Sequence, residues 1–146
     1  MSGVISTIQF NVATGDGENP ATKGSARAMV FGGRPRIFND NPKNKKWAER
    51  IGWIAKANQA SDSPWSGPVE ITLAFRMRKP KSMPKGRVLP TTKPDLDKMI
   101  RSVKDAHTGI LYVDDAQIIC LSATKVYGDE PGVAICLTNK TANTEI

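Results

Sequence analysis

One histidine, two cysteines and no Cys-x-x-Cys pair leave this chain without the ligands of a structural zinc site. Cys120 and Cys136 both lie in apolar, strand-like runs and are expected as buried, reduced thiols of a cytoplasmic protein. No apolar run reaches membrane-spanning length, and Met1-Ser2-Gly3-Val4-Ile5 lacks the basic and apolar regions of a secretory leader. A membrane is therefore not among the expected partners. Acids are the scarce charge, 14 against 21 basic residues, and the net charge of +7 favours an anionic partner such as nucleic acid.

The rest of the composition is ordinary. At 146 residues, with 39% hydrophobic and 24% charged positions, the chain suits one folded domain spanning residues 1–146 rather than a disordered segment. Neither an internal repeat nor a domain boundary is visible.

Residues 4–11 alternate loosely and read as a first strand, followed by a loop over 12–25. Residues 26–31 and 35–38 flank Gly32-Gly33 as a hairpin. Asn41-Pro42-Lys43 announces a helix to about residue 59, with Trp47, Ile51 and Ile54 on one face. Over 69–78 the alternation is clean, with Val69, Ile71, Leu73, Phe75 and Met77 on one side. Residues 79–94 hold four prolines and five basic residues, a basic loop expected to be mobile until a ligand binds. A second helix covers 95–107, with Met99, Ile100, Val103 and Ala106 as its stripe and Gly109 just past its end. Strands at 117–126 and 132–138 follow, and 139–146 reads as a frayed tail. The fold class is α/β (α+β), a small domain with two main helices.

The few acids are concentrated. Five of the fourteen fall between Asp95 and Asp115, directly after seven basic residues with no acid among them: Arg76, Arg78, Lys79, Lys81, Lys85, Arg87 and Lys93. Carboxylates gathered on a cationic surface suggest a divalent-metal site set into a polyanion-binding face. A single aspartate at a helix start is ordinarily a cap, but a second one two residues on is not needed for capping. Asp95 and Asp97 can converge in front of the first turn. Arg101 and Asp105 follow at i, i+4 spacing, either as a solvated ion-pair ladder or with Arg101 in a functional role. Paired aspartates such as Asp114-Asp115 are usually solvated turn residues. Taken with Asp95 and Asp97 they suggest a hard-cation site, in which adjacent strand residues point oppositely, so one faces the cluster and the other orients it. The basic run serves phosphate contacts, with Lys23, Arg27, Arg34 and Arg36 as a weaker second group. Trp65 is expected against the core rather than stacked on a base. His107 has no motif around it and receives no role.

Lys93-Pro94-Asp95-Leu96-Asp97-Lys98-Met99, Asp105-Ala106, Gly109 and Asp114-Asp115-Ala116-Gln117-Ile118 together resemble the signature of the RusA family of Holliday junction resolvases. Gly33-Arg34-Pro35-Arg36 and the Trp47 helix agree more loosely. These are small, often phage-borne endonucleases. The resemblance implies a mixed sheet, a homodimer and Mg²⁺-dependent cleavage of four-way DNA junctions, with Mn²⁺ able to substitute. It implies Asp95, Asp97 and Asp115 as catalytic, metal-holding carboxylates, with Asp114 and Asp105 also matching acidic positions. Two departures stand out. Arg101 occupies the place of a functionally important lysine, and arginine stabilises charge but does not shuttle a proton. Lys98 stands where asparagine is common.

The expected function is therefore hydrolysis of DNA phosphodiesters at four-way junctions, in recombination and repair, by a metal-activated water. Asp95, Asp97, Asp115 and Asp114 form the metal site, Arg101 faces the scissile phosphate, and Arg76, Arg78 and the loop to Lys93 hold the backbone. The alternatives are a nuclease selective for flaps or forks and a non-catalytic module binding branched DNA.

Overall fold

A computed structural model describes residues 6–22, 27–38, 42–59 and 61–141, with only the backbone described for the two strands within 27–38. In chain order the elements are β1 (Ser6–Ala13), β2 (Arg27–Phe31), β3 (Arg34–Phe38), α1 (Pro42–Asn58), β4 (Val69–Arg78), α2 (Leu96–His107), β5 (Ile118–Gly128) and β6 (Gly132–Asn139). A 3-10 turn, Asp115–Gln117, leads into β5. The expected strands, hairpin and helices all form; β1 runs two residues past its expected end, and residues 4 and 5 lie outside the described residues.

The main sheet has the order β1-β6-β4-β5, and β2 and β3 form a separate antiparallel hairpin. Only β4 and β5 run parallel; β6 pairs antiparallel with both β1 and β4. The sheet is thus mixed, and the domain is α+β. β4 is central because its alternation gives one wholly apolar face: Val69, Ile71, Leu73, Phe75 and Met77 are all buried. Burying each such side chain stabilises by roughly 1.5–3 kcal/mol relative to leaving it in water. Register sets Ile71 beside Leu137 and Phe75 beside Val133, and β1 adds Ile8 and Val12 to the same layer.

Both helices cover that face. α1 contributes Trp47, Ile51 and Ala55, and α2 contributes Met99 and Val103. The stripe read for α2 is rotated slightly, since Ser102 and His107 are buried while Ile100 and Ala106 are half-buried. Ser102 Oγ donates to Asn44 Oδ1 at 2.7 Å, which joins the helices and satisfies the buried hydroxyl. Gly109, at φ +86, makes the left-handed turn that stops α2. Trp65 packs against the core as expected, its backbone exchanging hydrogen bonds with Leu111 and Val113.

Two expectations are corrected. Cys120 is exposed and Cys136 half-buried, because both point to the sheet face that no helix covers. At the chain end, Lys140 is tied by its amide to the Pro68 carbonyl at 2.8 Å and by its ammonium to Glu70 at 3.3 Å, so residues 139–141 are held rather than frayed. Residues 142–146 lie outside the described residues.

His107 is fully buried between the Phe10 and Tyr112 rings, at centroid distances of 5.9 and 6.2 Å. Among the described residues neither of its nitrogens has a hydrogen-bond partner, and burial pushes its pKa from 6.5 down to about 3. Between those values the unfolded chain binds a proton that the fold excludes, so stability falls as pH falls from 6.5 toward 3. The loss is bounded at about 5 kcal/mol over the whole window. We predict that His107→Phe removes most of this slope in urea titrations between pH 6.5 and 4. Parallel pH profiles for the two proteins would contradict it.

Candidate active site

The parallel pairing of β4 and β5 requires a crossover, and residues 79–117 supply it. Its first part is the proline-rich basic loop. The end of that loop is fastened by Lys125 of β5, whose ammonium donates to the carbonyls of Thr92 at 2.7 Å and Pro94 at 2.9 Å. The Lys93–Pro94 peptide between those carbonyls is cis. Lys125 lies opposite Phe75 on the helix-covered face, where Leu121 and Ala123 are its inward companions. A charge at an inward position of an alternating strand must find partners, and this is the signal by which the sequence could have revealed it.

The strap delivers Asp95 to the start of α2. The Asp95 carbonyl accepts from Met99 N at 3.2 Å, yet its side chain makes no capping hydrogen bond. The capping explanation for this aspartate therefore fails. Its exposed carboxylate faces Lys98 at 3.7 Å, an exposed pair worth little energetically. Asp97, in the first turn, is exposed as well. Both carboxylates sit at the positive end of the helix dipole. Arg101 is exposed one turn further on.

Asp114 and Asp115 are divided by a turn rather than by strand alternation. Asp114 caps the 3-10 turn: its Oδ1 accepts from Ala116 N at 3.0 Å, while its own N–H donates to Gln117 Oε1 at 2.7 Å. The Ala116 amide, helped by a side-chain contact with Asp115, holds the Asp114 carboxyl below the usual range. Gln117 also donates through Nε2 to the carbonyls of Trp65 and Gly67, both at 2.8 Å. The turn is thereby locked to the 65–67 segment, and Asp115 is left to face α2. Its Oδ2 lies 3.9 Å from Lys104 Nζ. Lys104, which the sequence reading passed over, stands one turn nearer the helix end than Arg101.

Not all of the expected cluster is brought together. Asp97 and Lys104 are seven residues apart, about 10 Å along the helix axis, so Asp115 lies toward the opposite end of α2 from Asp95. Among the described residues no three of His, Cys, Asp and Glu converge closely enough to hold an ion. The donor chemistry nonetheless suits a hard divalent cation, since Mg²⁺ usually takes one or two carboxylates and completes its shell with water and substrate phosphate.

The basic residues also divide. Lys93 lines a cavity of about 320 Å³ with Asp95 and Lys98. Lys81 and Lys85 are exposed, Arg87 is half-buried, Arg78 pairs with Glu18 at 3.4 Å and Lys79 with Asp129 at 3.8 Å. Strand alternation puts Arg76, like Arg78, on the open sheet face, where the Arg76 Nε donates to the Glu130 carbonyl at 2.9 Å. Lys23 lies outside the described residues, as do the side chains of Arg27, Arg34 and Arg36.

Exposed aspartates at a helix start reached through a cationic strap have the chemistry that suits a hydrolase acting on nucleic-acid phosphodiesters. Residues 19–138 match the family described as Endodeoxyribonuclease RusA, and the chain belongs to that family. It is an endodeoxyribonuclease, of a family that resolves Holliday junctions and generally depends on divalent metal. It is also similar to the uncharacterized protein YqaN of Bacillus subtilis (strain 168), with 29% identity over 133 residues, covering 84% of this chain and 92% of that protein. No helix among the described residues is long and apolar enough to cross a membrane.

Proposed function

We propose that the protein nicks four-way DNA junctions in a Mg²⁺-dependent reaction, with Mn²⁺ able to substitute, and serves cytoplasmic recombination and repair. The observation that carries this reading is the Asp95 carboxylate, exposed at the helix start without a capping hydrogen bond and preceded by a strap anchored through Lys125. Asp95, Asp97 and Asp115 are the residues that would hold one or two such ions, which would lower the pKa of water and stabilise the attacking and leaving oxygens. Asp114 acts indirectly, by fixing the turn that aims Asp115. Arg101 opposes charge on the scissile phosphate, and Lys104 offers a second cation beside Asp115. Arg76, Arg78, Lys79, Lys81, Lys85, Arg87 and Lys93 grip the flanking backbone.

Asp97→Asn keeps the shape of the side chain and removes its charge. It should lower nicking of a synthetic junction by at least about 100-fold, the size of losing one preorganised electrostatic group. Junction binding in a gel-shift assay should stay within a few-fold of wild type. A fully active variant would sink the assignment.

Two matched nicks need two active sites, and a two-fold homodimer supplies them. The outer face of α1 supports this reading. Trp53 is 77% exposed beside a groove of about 520 Å³ lined by Ala48, Gly52, Ala106 and Ile110. Glu49 and Lys56 flank the same groove, seven residues apart. Antiparallel pairing of two α1 helices sets Glu49 of each copy opposite Lys56 of the other, with the tryptophans at the centre. Trp53→Asp should halve the mass seen by sedimentation. Glu49→Lys and Lys56→Glu should each weaken the dimer alone and restore it when mixed. A dimer unmoved by all three changes would place the interface elsewhere.

A further inference from the structure

Three cavities adjoin one another across the start of α2. The largest, about 770 Å³, lies between the 14–22 loop and α1, and shares Thr22 and Pro94 with the 320 Å³ cavity at Asp95. That cavity in turn shares Lys93 with one of about 150 Å³ beneath the basic loop. The largest also shares Asn19 with the smallest, so the three surround the place where residues 19–22 meet Lys93 and Pro94, next to Asp95. One wall of the largest is the N-terminal half of α1, where Lys43, Lys46 and Arg50 fall at i, i+3, i+7 on a single helix face.

The acids of the opposite wall are already engaged. The Asp16 carboxylate accepts from the Glu18 amide at 2.9 Å, which lowers its pKa, and Lys43 lies within its electrostatic reach. Glu18 pairs with Arg78. Arg50 is held in place: its Nε donates to the Ala13 carbonyl and its guanidinium rests against Gly15, which at φ +82 leaves no Cβ to displace it. Lys46 is exposed, and among the described residues no carboxylate pairs with it. A fixed guanidinium and a solvated ammonium on one helix face, spanning about 10 Å from Lys43 to Arg50, suit successive backbone phosphates rather than a compact anion.

We propose that this face of α1 is a second phosphate-binding site, separate from the basic loop, which holds DNA backbone beside Asp95. The substrate is then gripped by two distinct elements next to the cleavage site. The inference rests on the reading of the Asp95 region as the cleavage site. Phosphate contacts position without reading sequence, so the site sets where the strand lies and leaves base preference alone.

The test compares Lys43→Gln/Lys46→Gln with Lys85→Gln/Arg87→Gln, using a synthetic four-way junction, and reads affinity against salt concentration. Each phosphate contact contributes about 0.9 to the slope of log K on log salt, so each double variant should lower the slope by nearly 2. Phosphate-ethylation interference should disappear at one set of phosphates in the α1 variant and at a different set in the loop variant. A change confined to the loop variant would overturn the α1 site and leave the cleavage reading standing. A change confined to the α1 variant would support the site while removing the loop's role. If neither variant moves the slope, both fail.

Discussion

Two parallel neighbours, β4 and β5, cannot be joined by a hairpin, and this constraint organises the molecule. The chain must leave one end of the sheet, cross its face and return to the other end. Nearly all of the chemistry described above lies on that crossing. The basic strap, the two aspartates at the start of α2, Arg101, Lys104 and the Asp114–Gln117 turn occupy residues 79–117 in succession. The sheet beneath is kept rigid by the five inward side chains of β4, and Lys125 pins the crossing to it at the point where the first carboxylate appears. A site assembled on one connection depends on such a pin, because misplacement by about 1 Å at a reacting centre can cost 100-fold in rate.

The electrostatic design follows from the same path. A basic strap leading into a helix start sets cations beside the positive end of a helix dipole, a surface that attracts polyanions. The carboxylates placed there are not consumed by capping, unlike Asp114, which is. Two neighbouring pairs of identical residue type thus have different fates, and the difference lies in which backbone amides are within reach. Asp115 and Asp95 stand toward opposite ends of α2, so among the described residues the carboxylates are not gathered at one point.

Much of the fold was legible because its signals are local. The clean alternation of 69–78 gave β4 residue for residue, and Gly32-Gly33 and Gly109 marked their turns. The acidic spacing and basic run pointed to the right family without any coordinates. What escaped was what depends on partners distant in sequence. Only its strand register puts Lys125 beneath the strap. Gln117 looked like a strand residue, whereas its amide joins the 3-10 turn to Trp65 and Gly67. The two cysteines were placed inside because apolar neighbours suggested a covered sheet, and helices cover only one face.

The central claim is a metal-dependent strand cut at a DNA junction by the carboxylates of this crossover. The most direct measurement is a denaturing-gel nicking assay on a mobile four-way junction with Mg²⁺, with Mn²⁺ and with EDTA. Paired, symmetric cuts in either metal that vanish in EDTA are the predicted result. They would also show that Arg101 serves where a lysine was expected. Tight junction binding with no cut in either metal would contradict the account.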